Sequence, residues 1–541
     1  MTKTTKQANF SLPIKCAVLI VLLFLVVVPI LRMFSILRVA DFEAVLTGKT
    51  FVETMLSSLW LSAVATLIVL ALALLLAWSM TRTNMRGKRI FHVLLILPML
   101  IPSISHGMGL IILFGGNGIF KNLFGLSGTI YGSAGIICGS VLYAFPVAYI
   151  MLADVLRYED MSVYEAADIL GIGKVRAFCR ITLPYLKKPL IAAAFSTFSM
   201  IITDYGVPLM AGGKTKTIAL VMYQEVIGQL NFGRGAVYGL FLLIPAIVAF
   251  LADLISKERA SAAFVHRAAA DTPHQTKDLA GFLSCTLVSC FALLPILSFL
   301  VLAFAKSYPR DMHFTLANIA ETFDRGGGAF LWHSLLIALL TACLGTLLAY
   351  IAAYLSARMQ GALSRAIHLL ILTFLAIPGL VLGLSYVLTF KGTALVGTFA
   401  ILILVNTAHF MASPYLMMHN TFGKMNENLE SVGATLGSGR LRMLVAVFVP
   451  QSIATIAEMF SYLFVNCMMT ISAVSFLANT KTKPLSLLIN QFEAQMQFEC
   501  AAVVSLLILL VNIVVKLIVS TAKSRAAQKK ESFHATDKKT I

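Results

Sequence analysis

Long apolar stretches alternate with short polar ones along almost the whole chain. A membrane-spanning helix takes roughly 17–25 mostly apolar residues. Twelve segments qualify, at about 16–36, 56–80, 91–115, 133–156, 188–210, 236–256, 281–305, 331–355, 367–390, 396–418, 449–478 and 498–520. Each is solidly apolar, so helices are predicted. A β-barrel, with about ten alternating residues per strand, is excluded. Segments 188–210 and 449–478 are the most polar. Segment 16–36 follows Lys3, Lys6 and Lys15 with no small-residue cleavage site after it, and reads as an uncleaved span. The predicted fold class is an all-α polytopic membrane protein with about 12 transmembrane helices.

The pattern is duplicated. Ser58 to Arg82 (SLWLSAVATLIVLALALLLAWSMTR) aligns without a gap on Ser334 to Arg358 (SLLIALLTACLGTLLAYIAAYLSAR). Ile101-Pro102 falls on Ile377-Pro378, Pro146 near Pro414, Gly171 on Gly437, Pro184 on Pro450, and Lys214-Thr215-Lys216 on Lys481-Thr482-Lys483. Six spans per copy give both copies one orientation, so two parallel six-helix repeats are expected about an axis along the membrane normal. The first half is 1–256, with its core from about 56. A polar linker follows at 257–280, containing Thr272-Pro273-His274. The second half is 281–520, with its core from about 331, and a basic tail occupies 521–541. Two halves around one axis suit transport or conduction of a solute.

Charge then fixes sides. Of 541 residues 59% are hydrophobic and 12% charged, half the charge of a soluble domain, which excludes an ordinary soluble enzyme or a disordered chain. With both termini inside, 28 Lys/Arg lie on inside segments and 13 on outside segments and flanks. That bias orients both termini to the cytoplasm. The net charge of +18 therefore marks a membrane face and not a nucleic-acid partner. The eight cysteines form no CxxC pair or Cys/His ligand set and read as small apolar residues. Gly213-Lys214-Thr215 and Gly48-Lys49-Thr50 fail as phosphate loops, because Pro208 and Glu43 stand where the first Gly is needed. No catalytic residue, metal site or cofactor is expected.

The most informative loop lies between the fourth and fifth spans, at 158–187. Glu165 to Leu170 favours helix. Gly171 and Gly173 permit a sharp turn. Lys174, Arg176 and Arg180 open a basic segment that Pro184 is expected to stop. The second copy, 419–448, repeats the device with Glu430, Gly437, Val447 and Pro450, and the Gly-to-Pro spacing is the same. The pattern resembles the EAA loop of binding-protein-dependent ABC importer permeases of the type I fold. Glu165, Ala166, Ala167, Gly171, Ile181, Leu183 and Pro184 match it fully. Gly437 and Pro450 match in the second copy, with Val447 and Val449 conservative. Ser431-Val432-Gly433 replace the Glu-Ala-Ala, and Glu430 stands one residue early. The fused two-permease chain resembles the ferric ion, 2-aminoethylphosphonate and polyamine subgroup.

The resemblance implies a multi-pass protein of the inner membrane. Its EAA loops would dock on separate cytoplasmic ATPase subunits, two in number. An extracytoplasmic binding protein would deliver the solute, a small ion such as ferric ion or a phosphonate. The competing reading is a gradient-driven secondary transporter of the major-facilitator kind. Segment 81–90 lacks that kind's Asp-Arg-x-Gly-Arg-Arg signature.

Ionisable residues inside spans are candidates for the solute path. Asp204 and Tyr205 lie in a Gly- and Pro-containing stretch, His106 in a Gly-rich span, and His409 just after Asn406. Asp204 either faces the solute or is a satisfied carboxylate at a span end. The two histidines line the path or are packing residues.

Overall fold

The computed structural model describes residues 2–48, 50–125, 128–159, 162–257 and 275–537. Most of the expected linker, Thr272-Pro273-His274 included, and residues 538–541 of the basic tail lie outside the described residues. The chain is helical almost throughout. A two-stranded antiparallel ribbon pairs Ala305–Ser307 with Asp311–Phe314. Among the described residues nine helices are long and apolar enough to cross a membrane, and two bent helix pairs bring the count to eleven. The expected span at 188–210 is not among them. Its helix, Leu183–Ile202, carries Lys187 and Lys188 in its second turn and stops before Asp204.

Two expected spans are broken at a proline where solid helices were expected. In segment 91–115, helix Lys88–Ile96 gives way to a tight turn at Leu97–Leu100, and a new helix starts at Ser103. In segment 367–390, Ala362–Ala376 and Gly379–Phe390 meet at 108°. The cause is the same Ile-Pro pair. Proline crowds the residue before it out of the helical region. Ile101 (φ −117°, ψ 151°) and Ile377 (φ −95°, ψ 114°) are accordingly extended. Segment 396–418 is Phe399–Phe410 followed by Ala412–Gly423, bent by 51°.

The duplication reaches into the packing. On helix Phe51–Arg82 the buried positions include Ser58, Leu61, Ala65, Val69, Ala73 and Ala77. On helix Gly328–Ala357 they include Ser334, Ile337, Thr341, Gly345, Ala349 and Ala353, the same positions of the repeat. The helical spacing gives one face, and small residues let neighbouring backbones approach closely, as membrane helices require. Ser58 Oγ accepts from the Ile218 N–H (2.8 Å) and Ser334 Oγ from the Leu485 N–H (2.7 Å), so each copy anchors its following short helix identically.

The compact units do not follow the sequence halves. One comprises Met1–Leu37, Phe323–Leu488 and Leu507–Ile541; the other comprises Arg38–Thr322 and Ile489–Leu506. The first helix of each half thus packs within the unit built mainly from the other half. Helix Gln275–Ala303 lies against Ser103–Phe114, where a Cβ on Gly109 would stand 2.5 Å from Pro295. It also pairs Ser284 with Ser79 (3.1 Å). In the other unit, Pro29 cannot donate to the carbonyl four residues back, and its ring would strike it. The helix widens into a π turn at Leu23–Val27, and the Leu25 carbonyl accepts from Tyr386 Oη instead (2.7 Å).

Candidate functional site: two duplicated helical loops

Each loop is a short helix, a left-handed glycine and the start of a longer helix. In the first, helix Ser162–Ile169 ends at Gly171, with φ 69°. The Gly171 N–H reaches the Asp168 carbonyl (3.1 Å) and the Ile172 N–H the Ala167 carbonyl (2.9 Å). In the second, helix Leu429–Thr435 ends at Gly437, with φ 72°. Gly437 donates to Ala434 (3.1 Å) and Ser438 to Gly433 (2.9 Å). This paired closure of a helix end wants glycine at the left-handed position, and both copies supply it. Ala167 is buried, and its counterpart Gly433 makes room for Met443, whose Sδ would lie 2.5 Å from a Cβ there. The departure from Ala in the second copy is therefore steric.

Pro184 and Pro450 do not stop the basic segments. Lys174–Ala177 runs through a π turn at Phe178–Thr182 into Leu183–Ile202. Arg440–Met469 runs likewise through a π turn at Leu444–Phe448. Each π turn sits where a proline near the start of the next helix would otherwise clash with the carbonyl four residues back. Ile181, Leu183, Val447 and the two prolines lie on these joints. Each loop is thus joined by unbroken helix to the long helix that follows it.

The loops expose apolar side chains. Ile169 is 86% exposed, Leu170 75% and Val175 79%; in the second loop Leu436 is 78% exposed and Leu441 70%. Leu170 and Leu436, and Val175 and Leu441, are repeat counterparts. Glu165 and Ala166 are exposed beside them. Sequence reading missed the five apolar ones. A signal existed, since all lie within three or four residues of the two glycines.

Beneath the loops lie two arginines at matching ends of the duplicated second span. Arg358 binds Glu430 through Nε (2.8 Å) and Nη2 (2.5 Å), and reaches the carbonyls of Met425 (3.0 Å) and Asn426 (2.7 Å). Its guanidinium lies 5.4 Å from the Phe448 ring centre. Arg82 pairs with Glu159, and its guanidinium lies 5.2 Å from the ring centre of Tyr164. Tyr164 Oη donates to Glu159 Oε1 (2.7 Å) and contacts Thr182. Burial, opposed by the Thr182 contact and reinforced by Glu159, pushes the Tyr164 phenol up to about 12, so it stays protonated at neutral pH. The Gly171–Gly437 alignment puts Glu430 on Tyr164, not on Glu165, and Glu430 points inward.

Three of the path candidates, His106, Asp204 and Tyr205, lie in one unit. Asp204 accepts from Ser103 Oγ (2.5 Å) and from the N–H groups of Val207 (2.9 Å) and Gly206 (3.3 Å). It thereby ties the start of helix Gly206–Ala211 to the restart of the broken span. Tyr205 is buried and stacked on Tyr223 with centroids 4.5 Å apart. His106 is buried, with Nε2 3.0 Å from the Pro98 carbonyl. His409 lies in the other unit, against Gly379 at its span break. A repeated contact also went unread. His92 Nδ1 meets Tyr149 Oη (3.1 Å), and His368 Nδ1 meets Tyr415 Oη (2.6 Å). It aligns Tyr149 with Tyr415, so Pro146 and Pro414 are not counterparts.

The family of binding-protein-dependent transport system inner membrane components matches the chain twice, over residues 70–260 and 345–526. The chain belongs to this family. It is a multi-pass inner-membrane permease component of an ABC importer, and the gradient-driven alternative falls. The putative ferric transport system permease protein FbpB 1 of Haemophilus influenzae is 24% identical over 89% of this chain and 80% of its own length. The ferric transport system permease protein FbpB of Actinobacillus pleuropneumoniae is 24% identical over 81% of this chain and 66% of its own. The molybdenum transport system permease protein ModB of Haemophilus influenzae is 29% identical, but over 34% of this chain and 82% of itself. Part of this permease thus corresponds to most of a shorter relative. The duplicated loops fall inside both matched regions.

Proposed function

We propose that this permease is the fused membrane subunit of an ATP-driven importer for ferric ion. Both termini and both loops face the cytoplasm, each loop docking on one of two ATPase subunits. An extracytoplasmic binding protein delivers the ion. The observation that carries the reading is the duplicated loop with its exposed apolar side chains. Burying one such side chain in a partner groove is worth about 1.5–3 kcal/mol. The bias of Lys/Arg toward the loop-bearing side supports the orientation. Ferric ion is favoured because the relatives aligned over most of this chain are named for ferric transport, whereas those named for molybdenum or sulfate align with less than half of it.

Mechanically, ATP binding draws the ATPase pair together and moves the docked loops. The continuous helices through Pro184 and Pro450 carry that movement into the spans, biasing two access states by differential contact. The path lies within the spans. Asp204 shapes it by fixing the break beside Ser103, since its carboxylate is already held by three donors. Hydrolysis belongs to the partner.

The test is to purify the tagged chain from native membranes in mild detergent and identify what accompanies it. Two ATPase subunits per chain are expected, with uptake of radioactive ferric citrate by vesicles holding the complex and its binding protein. Leu170→Glu with Leu436→Glu should abolish ATPase recovery at unchanged permease level. A permease that comes away alone, or recovery unaffected by both changes, overturns the docking role.

A further inference from the structure

We infer that Arg82 and Arg358 are positioning residues for energy coupling, and that the two loops they hold are tethered through different side chains. The inference rests on the docking role just proposed. Both arginines end the duplicated second span at the same position of the repeat, and their side chains are only 8% and 6% exposed. A guanidinium that deep is a poor surface ornament. It persists only if paired and hydrogen-bonded, because removing one partner strands a buried charge.

The partners make the assignment. Arg358 grips Glu430, which lies on the second loop's own short helix, with two parallel hydrogen bonds, the most direction-specific contact an arginine makes. Its remaining donors hold the Met425 and Asn426 carbonyls, which lead into that helix, and its face lies near Phe448 in the π turn. One side chain therefore fixes the second span's end, the loop helix and the start of the next span together. In the first loop the corresponding glutamate, Glu159, precedes the loop helix. A neutral phenol, Tyr164, joins it to that helix and also touches Thr182 in the π turn. Repeat position 164/430 is thus filled by two different side chains that do one job. The charged, forked version holds the second loop, the copy that lacks the Glu-Ala-Ala sequence.

A rigidly tethered loop transmits displacement, whereas a loosened one lets the ATPase turn over without moving the spans. The clamp is therefore read from the ratio of transport to hydrolysis. The full chain would be reconstituted with its ATPase and binding protein as wild type, Glu430→Gln, Glu430→Asp, Arg358→Lys and Tyr164→Phe. A spin label at Gly439→Cys, an open position on the second loop, reports mobility in a chain whose native cysteines are replaced. Glu430→Gln and Arg358→Lys should keep ATPase recovery, free the label, and cut ferric uptake per ATP by about fivefold or more, the low end of ordinary coupling between sites. Glu430→Asp should restore part of that ratio, and Tyr164→Phe should lower it less. An unchanged ratio with an immobile label overturns the inference. So does a parallel fall of uptake and hydrolysis with the amount of complex, which is what a merely structural role gives. If the wild type recovers no ATPase, the docking role has failed and the inference falls with it. If it hydrolyses ATP but takes up no ferric ion, only the solute is wrong, and label mobility decides the clamp.

Discussion

At the scale of single residues, the two loop glycines show how a conformation, and not a contact, is selected. Gly171 and Gly437 sit in the left-handed region with open space where a Cβ would be. A substitution there fails through backbone strain alone, about 1–2 kcal/mol for an ordinary side chain. Asparagine tolerates that region better than alanine. Gly437→Asn is therefore expected to retain more uptake and more ATPase recovery than Gly437→Ala, although asparagine is larger. If the smaller side chain is better tolerated, space at the loop matters and the left-handed turn does not.

At the scale of elements, proline acts by reshaping helices without ending them. Three π turns each place a proline just after the widened turn, at Pro29, Pro184 and Pro450. The freed Leu25 carbonyl has found Tyr386. Tyr386→Phe removes that donor from a buried carbonyl and should cost about 1–3 kcal/mol, read as a lowered thermal midpoint of the purified chain. Pro450→Ala restores an N–H, lets the turn tighten to a regular helix and rotates the second loop relative to its span. Uptake should fall while the thermal midpoint holds or rises. A fall in both would make Pro450 a stability residue only.

At the scale of the whole molecule, the exchange of first helices decides which pieces are stable. Each compact unit takes the first helix of the opposite sequence half, and the unit Arg38–Thr322 takes Ile489–Leu506 as well. Residues 1–257 made alone contain Met1–Leu37 without the unit it belongs to, and lack Gln275–Ala303, which packs on Ser103–Phe114. Either half expressed alone should be protease-sensitive. The two halves co-expressed as separate chains should co-purify and regain uptake, because the exchanged helices join them. Separate halves that are each protease-resistant and do not associate would refute the exchange.

Much of this was legible along the chain. Hydropathy marked most of the spans, because bilayer thickness imposes a length on them whatever their neighbours are. The repeat and the Gly-to-Pro spacing marked both loops, because a left-handed turn and a missing N–H are local constraints that any context must obey. The Ile-Pro breaks carried a local signal that span counting overrode. The inward pairing of Glu430 left no mark, since a glutamate looks alike in sequence whether it faces a partner or an arginine inside. The buried clamp at Arg358, the cap at Asp204, the His–Tyr pairs and the exchanged first helices depend on which helix lies beside which. The sequence by itself determined the class of the protein, its duplication and the place of its loops, for those rest on local chemistry repeated along the chain. Only the tertiary structure decided which polar side chains are already satisfied, because a hydrogen-bond partner up to hundreds of residues away leaves no mark at the position it satisfies.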